Sequence, residues 1–528
     1  MLKNKTINRM WLWLMAGLLS VLLGSVPAEA QGNILKVATT ADPPTLDLAS
    51  NTAGETAQIM DHVFDSLYAY DREFKPQPQL AESYDLSDDK LTWTFHLRKG
   101  ILFHDGTKMT AEDVKASILR FKEVSPRGSQ FDVVTSIETP DPYTIKLRTS
   151  KPVSTMINYV AGQESVLTIM PKHAVMKEGK VKGVGELKLP EDYIGTGPFQ
   201  LVEWAQGDHT LLKKSDVYKP FTGNLASGFT GDREAFVDGI KFIVTPESSA
   251  RFAALKTGEV DFADVLGPRT FDIIKADSKL KAEIVSLYYV VAMLFNTTEN
   301  SIFQDARLRR AVQAALSQEQ VMETVTAGRS EFYTLGAGSF WFSSQVFWSD
   351  IGNKLGTFNQ KNPKKAKQLM QEAGYKDERI TIITNRHYDW MYRAALSVLS
   401  QLKAVGFNAV LEVYDWPTQL SIMNSHKDYD IGYTGHSPRF DPAGWYHYFG
   451  PGWLGYNNSE IQKLMEEDAG TFNLDKRIEI WKEIQRLVQL DVPYIYHGEL
   501  HILQGRRANV KNYIPWIQMC FWNVNLEK

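Results

Sequence analysis

The sequence predicts a mixed α/β protein. Three observations carry that reading: strand and helix signals alternate along the chain, no repeat at a solenoid period is visible, and no long linker divides it. The 528 residues are 43% hydrophobic, 12% aromatic and 23% charged, a globular composition that excludes collagen-like, low-complexity and disordered chains. Such a length builds roughly two to four packed units. With 58 basic against 62 acidic residues and no long basic run or Cys/His finger, nucleic acid is not an expected partner.

The elements follow in chain order. Lys3, Lys5 and Arg9 precede the apolar residues 11–23, and Ala28-Glu29-Ala30 supplies small residues at a cleavage site, so residues 1–30 read as a signal peptide. The apolar stretch falls short of the about 20 residues a membrane span needs, and no cysteine follows it to carry a lipid anchor. The expected mature protein is soluble and exported. Cys520 is the only cysteine, which rules out an internal disulfide and Cys-rich metal centres.

Residues 91–98, LTWTFHLR, alternate as a half-buried strand. Thr110 caps a helix with Asp113 at its third position and Val114, Ile118 and Phe121 on one face. The run YYVVAMLF at 288–295 is a buried strand. Asp305 opens a helix carrying Leu308, Val312, Ala315 and Leu316. Asn362-Pro363 starts another and Gly374 ends it. Residues 391–405, stopped by Gly406, and 475–490, with Ile478, Trp481, Ile484 and Val488 inward, are two more; FNAVLEVYDW between them is a strand. The acidic groups Asp88-Asp89, Asp377-Glu378-Arg379 and Glu466-Glu467-Asp468 read as solvated surface.

Motifs of catalysis are missing. There is no HExxH, GxSxG, Walker A or GxGxxG signature, and the 11 histidines are scattered. No enzyme activity, cofactor or metal is therefore expected.

Eight segments in order carry a resemblance that spans the chain beyond residue 30. They are PPTLDLASN at 43–51, the stretch 64–114, IGTGPFQLVEW at 194–204, ALKTGEVDFAD at 254–264, residues 295–316, NPKKAKQLMQEAGY at 362–375, QLKAVGFNAVLEVYDW at 401–416 and VPYIYHGE at 492–499. Together they resemble the extracytoplasmic solute-binding proteins of ABC importers, in the peptide/nickel-binding family. The resemblance implies a type II periplasmic-binding-protein-like fold, with two hinged lobes, a cleft and an extra domain. It implies a discontinuous lobe I from residues 31–60, 190–275 and 486–528, an extra α/β domain at 61–189 and lobe II at 276–485. It further implies a monomer that captures a small solute and hands it to permease subunits at the membrane.

The resemblance also nominates cleft residues. In dipeptide and oligopeptide binders a loop of the form W-T-G-D offers its aspartate to the ligand's ammonium. The matching segment here holds Tyr433, Thr434, Gly435 and then His436. An imidazole cannot replace a full negative charge opposite a buried ammonium, so a carboxylate-bearing or neutral ligand is expected. Asp441 is either a substitute anchor or an Asp-Pro turn residue. Arg393 falls at the place of a carboxylate-binding arginine, with Arg386 upstream and Arg439 in the His436 loop. Tyr289, Trp416 and Trp445 are candidate stacking rings, and Ser50, Asn51 and Thr52 occupy the first-lobe loop that faces ligand in relatives. Peptide-like and carboxylate-bearing solutes lead; opines, nickel chelates, oligosaccharides and aromatic acids stay open, as does an exported hydrolase or chaperone on this fold.

Overall fold

A computed structural model describes residues 32–161, 167–299, 301–449 and 455–527; the expected signal peptide lies outside them. One large sheet organises the chain. Its strands are β1 (Ile34–Thr39), β2 (Phe199–Ala205), β3 (His209–Lys214), β4 (Gly239–Val244), β5 (Phe262–Leu266), β6 (Leu280–Phe295), β7 (Ile380–Asn385), β8 (Ala409–Tyr414), β9 (Ile431–His436) and β10 (Tyr494–Arg507). Across the sheet they run β2-β3-β4-β1-β5-β10-β6-β9-β7-β8, and Tyr333–Thr334 joins β10 from the side.

The long strands β6 and β10 pair antiparallel and tie the two halves together. At one end Leu280 faces Arg507 and β10 also pairs β5; at the other, β6 pairs β9, with Val290 opposite His436. Their register breaks midway. Val285 pairs Ile502 and Tyr289 pairs Leu500, so residues 286–288 face His501 alone. Such a bulge bends the strand and re-aims its side chains. YYVVAMLF is thus the second half of β6, and Val290 to Phe295 are fully buried.

FNAVLEVYDW supplies β8, parallel to β7. LTWTFHLR supplies Thr92–Leu97 of a separate four-stranded sheet, ordered Ala81–Leu86, Thr92–Leu97, Thr144–Thr149, Val134–Asp141. Its alternation is met in burial, with Trp93, Phe95 and Leu97 turned inward. They share a core with Val114, Ile118 and Phe121.

The helices that bear on the site are α1 (Gly54–Met60), α2 (Ala111–Val124), α3 (Ala306–Ala315), α4 (Pro363–Ala373), α5 (Asp389–Val405) and α6 (Leu474–Asp491). Their caps explain their limits. Before α2 the Thr110 N–H donates to the Asp113 carboxylate at 2.8 Å. The Asp305 carboxylate accepts from the Arg307 N–H at α3, and the Asn362 side chain from the Lys365 N–H at α4. Gly374 and Gly406 close α4 and α5 in left-handed conformations, at φ +76° and +103°. Helix α5 begins two residues before the expected start, with Asp389 in its first turn.

Two surface expectations need correction on α6 and its surroundings. Asp88, Asp89 and the 377–379 group are exposed, but Asp468 is fully buried. Ile478 is only half-buried, because Arg477 takes the inward position beside it. The Arg477 guanidinium donates from Nε to Asp468 Oδ1 at 2.9 Å and from Nη1 to Asp441 Oδ2 at 3.0 Å. The Tyr446 hydroxyl donates to Asp468 at 2.6 Å. A charged triplet at the surface contains a core residue because one buried arginine requires it. Removing a single member strands the others without counter-charge. Arg477→Ala should therefore destabilise the fold by about 3–5 kcal/mol. Urea unfolding followed by tryptophan fluorescence checks this; a midpoint within error of the wild type refutes the buried pairing.

Candidate functional site

A cavity of about 910 Å³ opens at the break in the β6–β10 pair. Tyr288 and Tyr289 enter it from β6, and residues 500–503 from β10. One wall is the entry loop and α1, with Asn51, Thr52, Glu55, Gln58 and Asp61. The loop is pre-shaped: Asn51 Oδ1 accepts from the Ala53 N–H at 2.8 Å while its Nδ2 donates to the Asp47 carbonyl at 2.7 Å. That is the local closure by which Asn favours turns. The other wall is the start of α5, with Arg386, Tyr388, Trp390 and Arg393, together with Trp416, Thr434, Gly435, Arg439 and Tyr448.

Aromatic packing sets the second wall. The rings of Tyr289 and Trp390 lie 5.8 Å apart, and Tyr388 meets Trp416 edge-on at 5.5 Å. Gly435 allows this approach. A Cβ there would stand 2.7 Å from Tyr289 Cγ and 2.9 Å from a Trp390 ring carbon. Glycine at this position is thus a condition of the wall.

The three predicted arginines line the cavity, in different environments. Arg386 is exposed, lies 4.2 Å over the Tyr392 ring and donates to its hydroxyl. Arg393 pairs with Asp389 one turn earlier at 2.6 Å, which neutralises much of its charge. Arg439 is 3% exposed, donates to the Tyr448 hydroxyl at 2.8 Å and lies over the Trp445 ring. Of the three it is the buried, preorganised one.

Asn51, Thr52, Tyr289, Trp416, Thr434 and Gly435 also line the cavity; five predicted residues do not. Ser50 turns its hydroxyl back onto the Asp47 carbonyl. Tyr433 stacks on His497 in the core beneath the strand. His436 is buried among the rings of Trp445, Tyr448 and Tyr496, with Tyr448 forming the cavity wall that His436 was expected to form. Trp445 is fully buried beside it. Asp441 caps the turn Pro442–Trp445 through the Ala443 N–H and pairs with Arg477, so its turn role accounts for it. The argument from His436 against a cationic ligand therefore loses its geometric basis.

Sequence reading missed Glu55, Gln58 and Asp61 on α1, and with them Arg233 and Gln518, which also line the cavity. The one local hint was an aspartate ending the apolar run AQIM. Asp61 is half-buried at the C-terminal end of α1, and burial pushes its carboxyl up to about 7, the nearby Arg233 guanidinium opposing the rise. Among the described residues no group of three His, Cys, Asp or Glu is placed to hold a metal. No helix among them is long and apolar enough to cross a membrane.

Residues 75–456 match the family described as bacterial extracellular solute-binding proteins, family 5 Middle. The chain is 26% identical to a probable peptide ABC transporter periplasmic-binding protein of Sinorhizobium fredii, over 90% of its own length and 91% of that protein's. Two solved structures share the fold. The periplasmic binding protein DppA of Helicobacter pylori in complex with the peptide STSA superposes at TM-score 0.79, with 22% identity, 94% of this chain and 98% of that one covered. The PBP AgaA of A. tumefaciens R10 in complex with agropinic acid superposes at 0.78, with 24% identity, covering 94% and 99%.

The Asp61 geometry makes a prediction. A carboxyl raised from 3.8 to about 7 binds more protons folded than unfolded across that interval. Its contribution is thus favourable at low pH and lost as pH rises through 7. The nearby Arg233 is itself paired with Asp65. Asp61→Asn should gain stability over the wild type between pH 4 and pH 8, the advantage growing with pH. Melting temperatures of both proteins across that range test this; a constant difference overturns it.

Proposed function

The chain belongs to the bacterial extracellular solute-binding proteins of family 5, and we propose that it is the periplasmic receptor of an ABC importer for a peptide-like or carboxylate-bearing solute. The observation that carries this reading is the position of the cavity. It sits at the register break of the two strands joining the halves of the sheet, between a wall from α1 and a wall from α5 and β9. A bulged connection of this kind concentrates bending at a few residues, as hinge closure around a ligand requires. Aromatic rings and the buried Arg439 supply area and charge-assisted donors for a solute held without covalent chemistry.

On this reading lobe I gathers residues 31–60, 190–275 and 486–528, residues 61–189 form the extra domain and 276–485 lobe II. The targeting segment is cleaved after Ala30, and the mature protein works as a monomer that meets the permease when closed. The relative from Sinorhizobium fredii is named for peptide transport, and the Helicobacter pylori neighbour holds a tetrapeptide. Both favour a peptide-like solute over the other classes.

Two measurements test the proposal. Mass spectrometry of the solute released from protein purified out of its periplasm identifies the cargo, and that cargo should raise the melting temperature and come back unchanged. A solute returned cleaved would overturn the receptor reading. For a carboxylate-bearing peptide, Arg439→Ala should weaken binding by roughly 2–5 kcal/mol, because the guanidinium is buried. Arg393→Ala should lose no more than about 1 kcal/mol, since its charge is already paired and partly exposed. Calorimetry of the two variants separates the roles; the reverse order would move the carboxylate site to Arg393.

A further inference from the structure

We infer that the corner made by Asp61, Arg233 and Gln518 receives the amino-terminal end of the solute, an ammonium group next to a carbonyl oxygen. The inference rests on the reading above that the cavity holds a peptide-like molecule, and adds which end of it lies where.

Three polar groups in this corner lack partners among the described residues. The Asp61 carboxylate takes part in no hydrogen bond or ion pair among them; its main-chain N–H donates to the Ala57 carbonyl and its main-chain oxygen accepts from Arg233 Nη1 at 3.1 Å. Arg233 is 2% exposed and tightly fixed. Its Nη2 bonds the Asp65 carboxylate and its guanidinium lies 5.0 Å over the Trp522 ring, yet its Nε–H has no acceptor. The Gln518 Oε1 is buried and has no donor. All three residues line the cavity. Native proteins leave few buried polar atoms unmatched, and each one unmatched costs free energy until something binds it.

The chemistry of the missing partner follows from the set. Arg233 is neutralised by Asp65, whose carboxylate is also held by Gln79 and Thr196. The group left over is the Asp61 carboxyl, which burial pushes up to about 7, so a positive charge beside it would favour its ionised form. Its complement has a positive charge, more than one donor and one acceptor. An ammonium supplies the charge and donates to both Asp61 and Gln518 Oε1, and the adjacent carbonyl accepts from Arg233 Nε–H. A water molecule bridges such atoms without stabilising the ionised carboxylate, and a neutral or purely anionic solute leaves Asp61 to take up a proton instead. Arg439 lies in the opposite wall of the cavity, placed for the other end of the solute.

The test uses the exported protein incubated with a set of tripeptides and the same set N-acetylated, read by native mass spectrometry. The wild type should hold free-amine members at least tenfold more tightly. Asp61→Asn, which preserves shape, should abolish that preference while keeping or raising the melting temperature, and Gln518→Leu should reduce it. Equal capture of acetylated peptides by the wild type, or an undiminished preference in Asp61→Asn, overturns the corner and leaves the peptide-like reading standing. Capture of neither set overturns the peptide-like reading and the corner with it.

Discussion

The pairing of β6 with β10 is the constraint on which the rest of the molecule depends. Two strands of 16 and 14 residues run through the centre of the sheet, and every other strand of that sheet is joined, directly or through neighbours, to one of them. A continuous ladder of that length would make one stiff slab. Breaks after Val285 and after Val291 divide it into ladders that share a chain but not a register, and the wider break, at residues 286–288, lies at the cavity. Each half can then keep its own core while the junction carries the bend. The cavity lies at that junction because the side chains of the bulge cannot join either ladder's face and open between them.

Several buried arginines in this protein have their partners inside. Arg477 holds Asp441 and Asp468, Arg120 holds Asp47, and Arg251 spends its guanidinium on four main-chain carbonyls around the cavity loop. Arg120 and Arg477 reach carboxylates 73 and 36 residues away, which lets a discontinuous chain set one geometry. Asp61 differs: it lies half-buried at the cavity, and its carboxylate has no hydrogen-bond partner among the described residues. In a receptor, an unmatched group at the binding surface is where ligand free energy is gained, because the solute and not the fold completes the pairing.

Local physics made much of the fold legible. The caps at Thr110, Asp305 and Asn362 and the stops at Gly374 and Gly406 act within a turn or two, so their residue types announce them. The apolar faces of α2 and α3 and the alternation of LTWTFHLR are likewise set by neighbours three, four or two positions away. The candidate site was legible only in part. Arg386, Arg393 and Arg439 line the cavity, but whether each is exposed, paired or buried depends on Tyr392, Asp389 and Tyr448. Tyr433 and His436 sat in the loop that matched relatives, yet both rings turn into cores on opposite sides of the strand.

What the sequence by itself determined was the class of the protein: alternating strands and helices, a globular composition, no catalytic signature, and eight ordered segments shared with a family of solute receptors. These are properties of residues near one another in the chain, or of residue types in order. What only the tertiary structure decided was which side chains meet in space. Asp61 and Arg233 come from segments more than 170 residues apart, and Asp468 is core because Arg477 and Tyr446 surround it. Burial and charge compensation are sums over such distant neighbours, so no local pattern encodes them, and the chemistry of the cavity is written there.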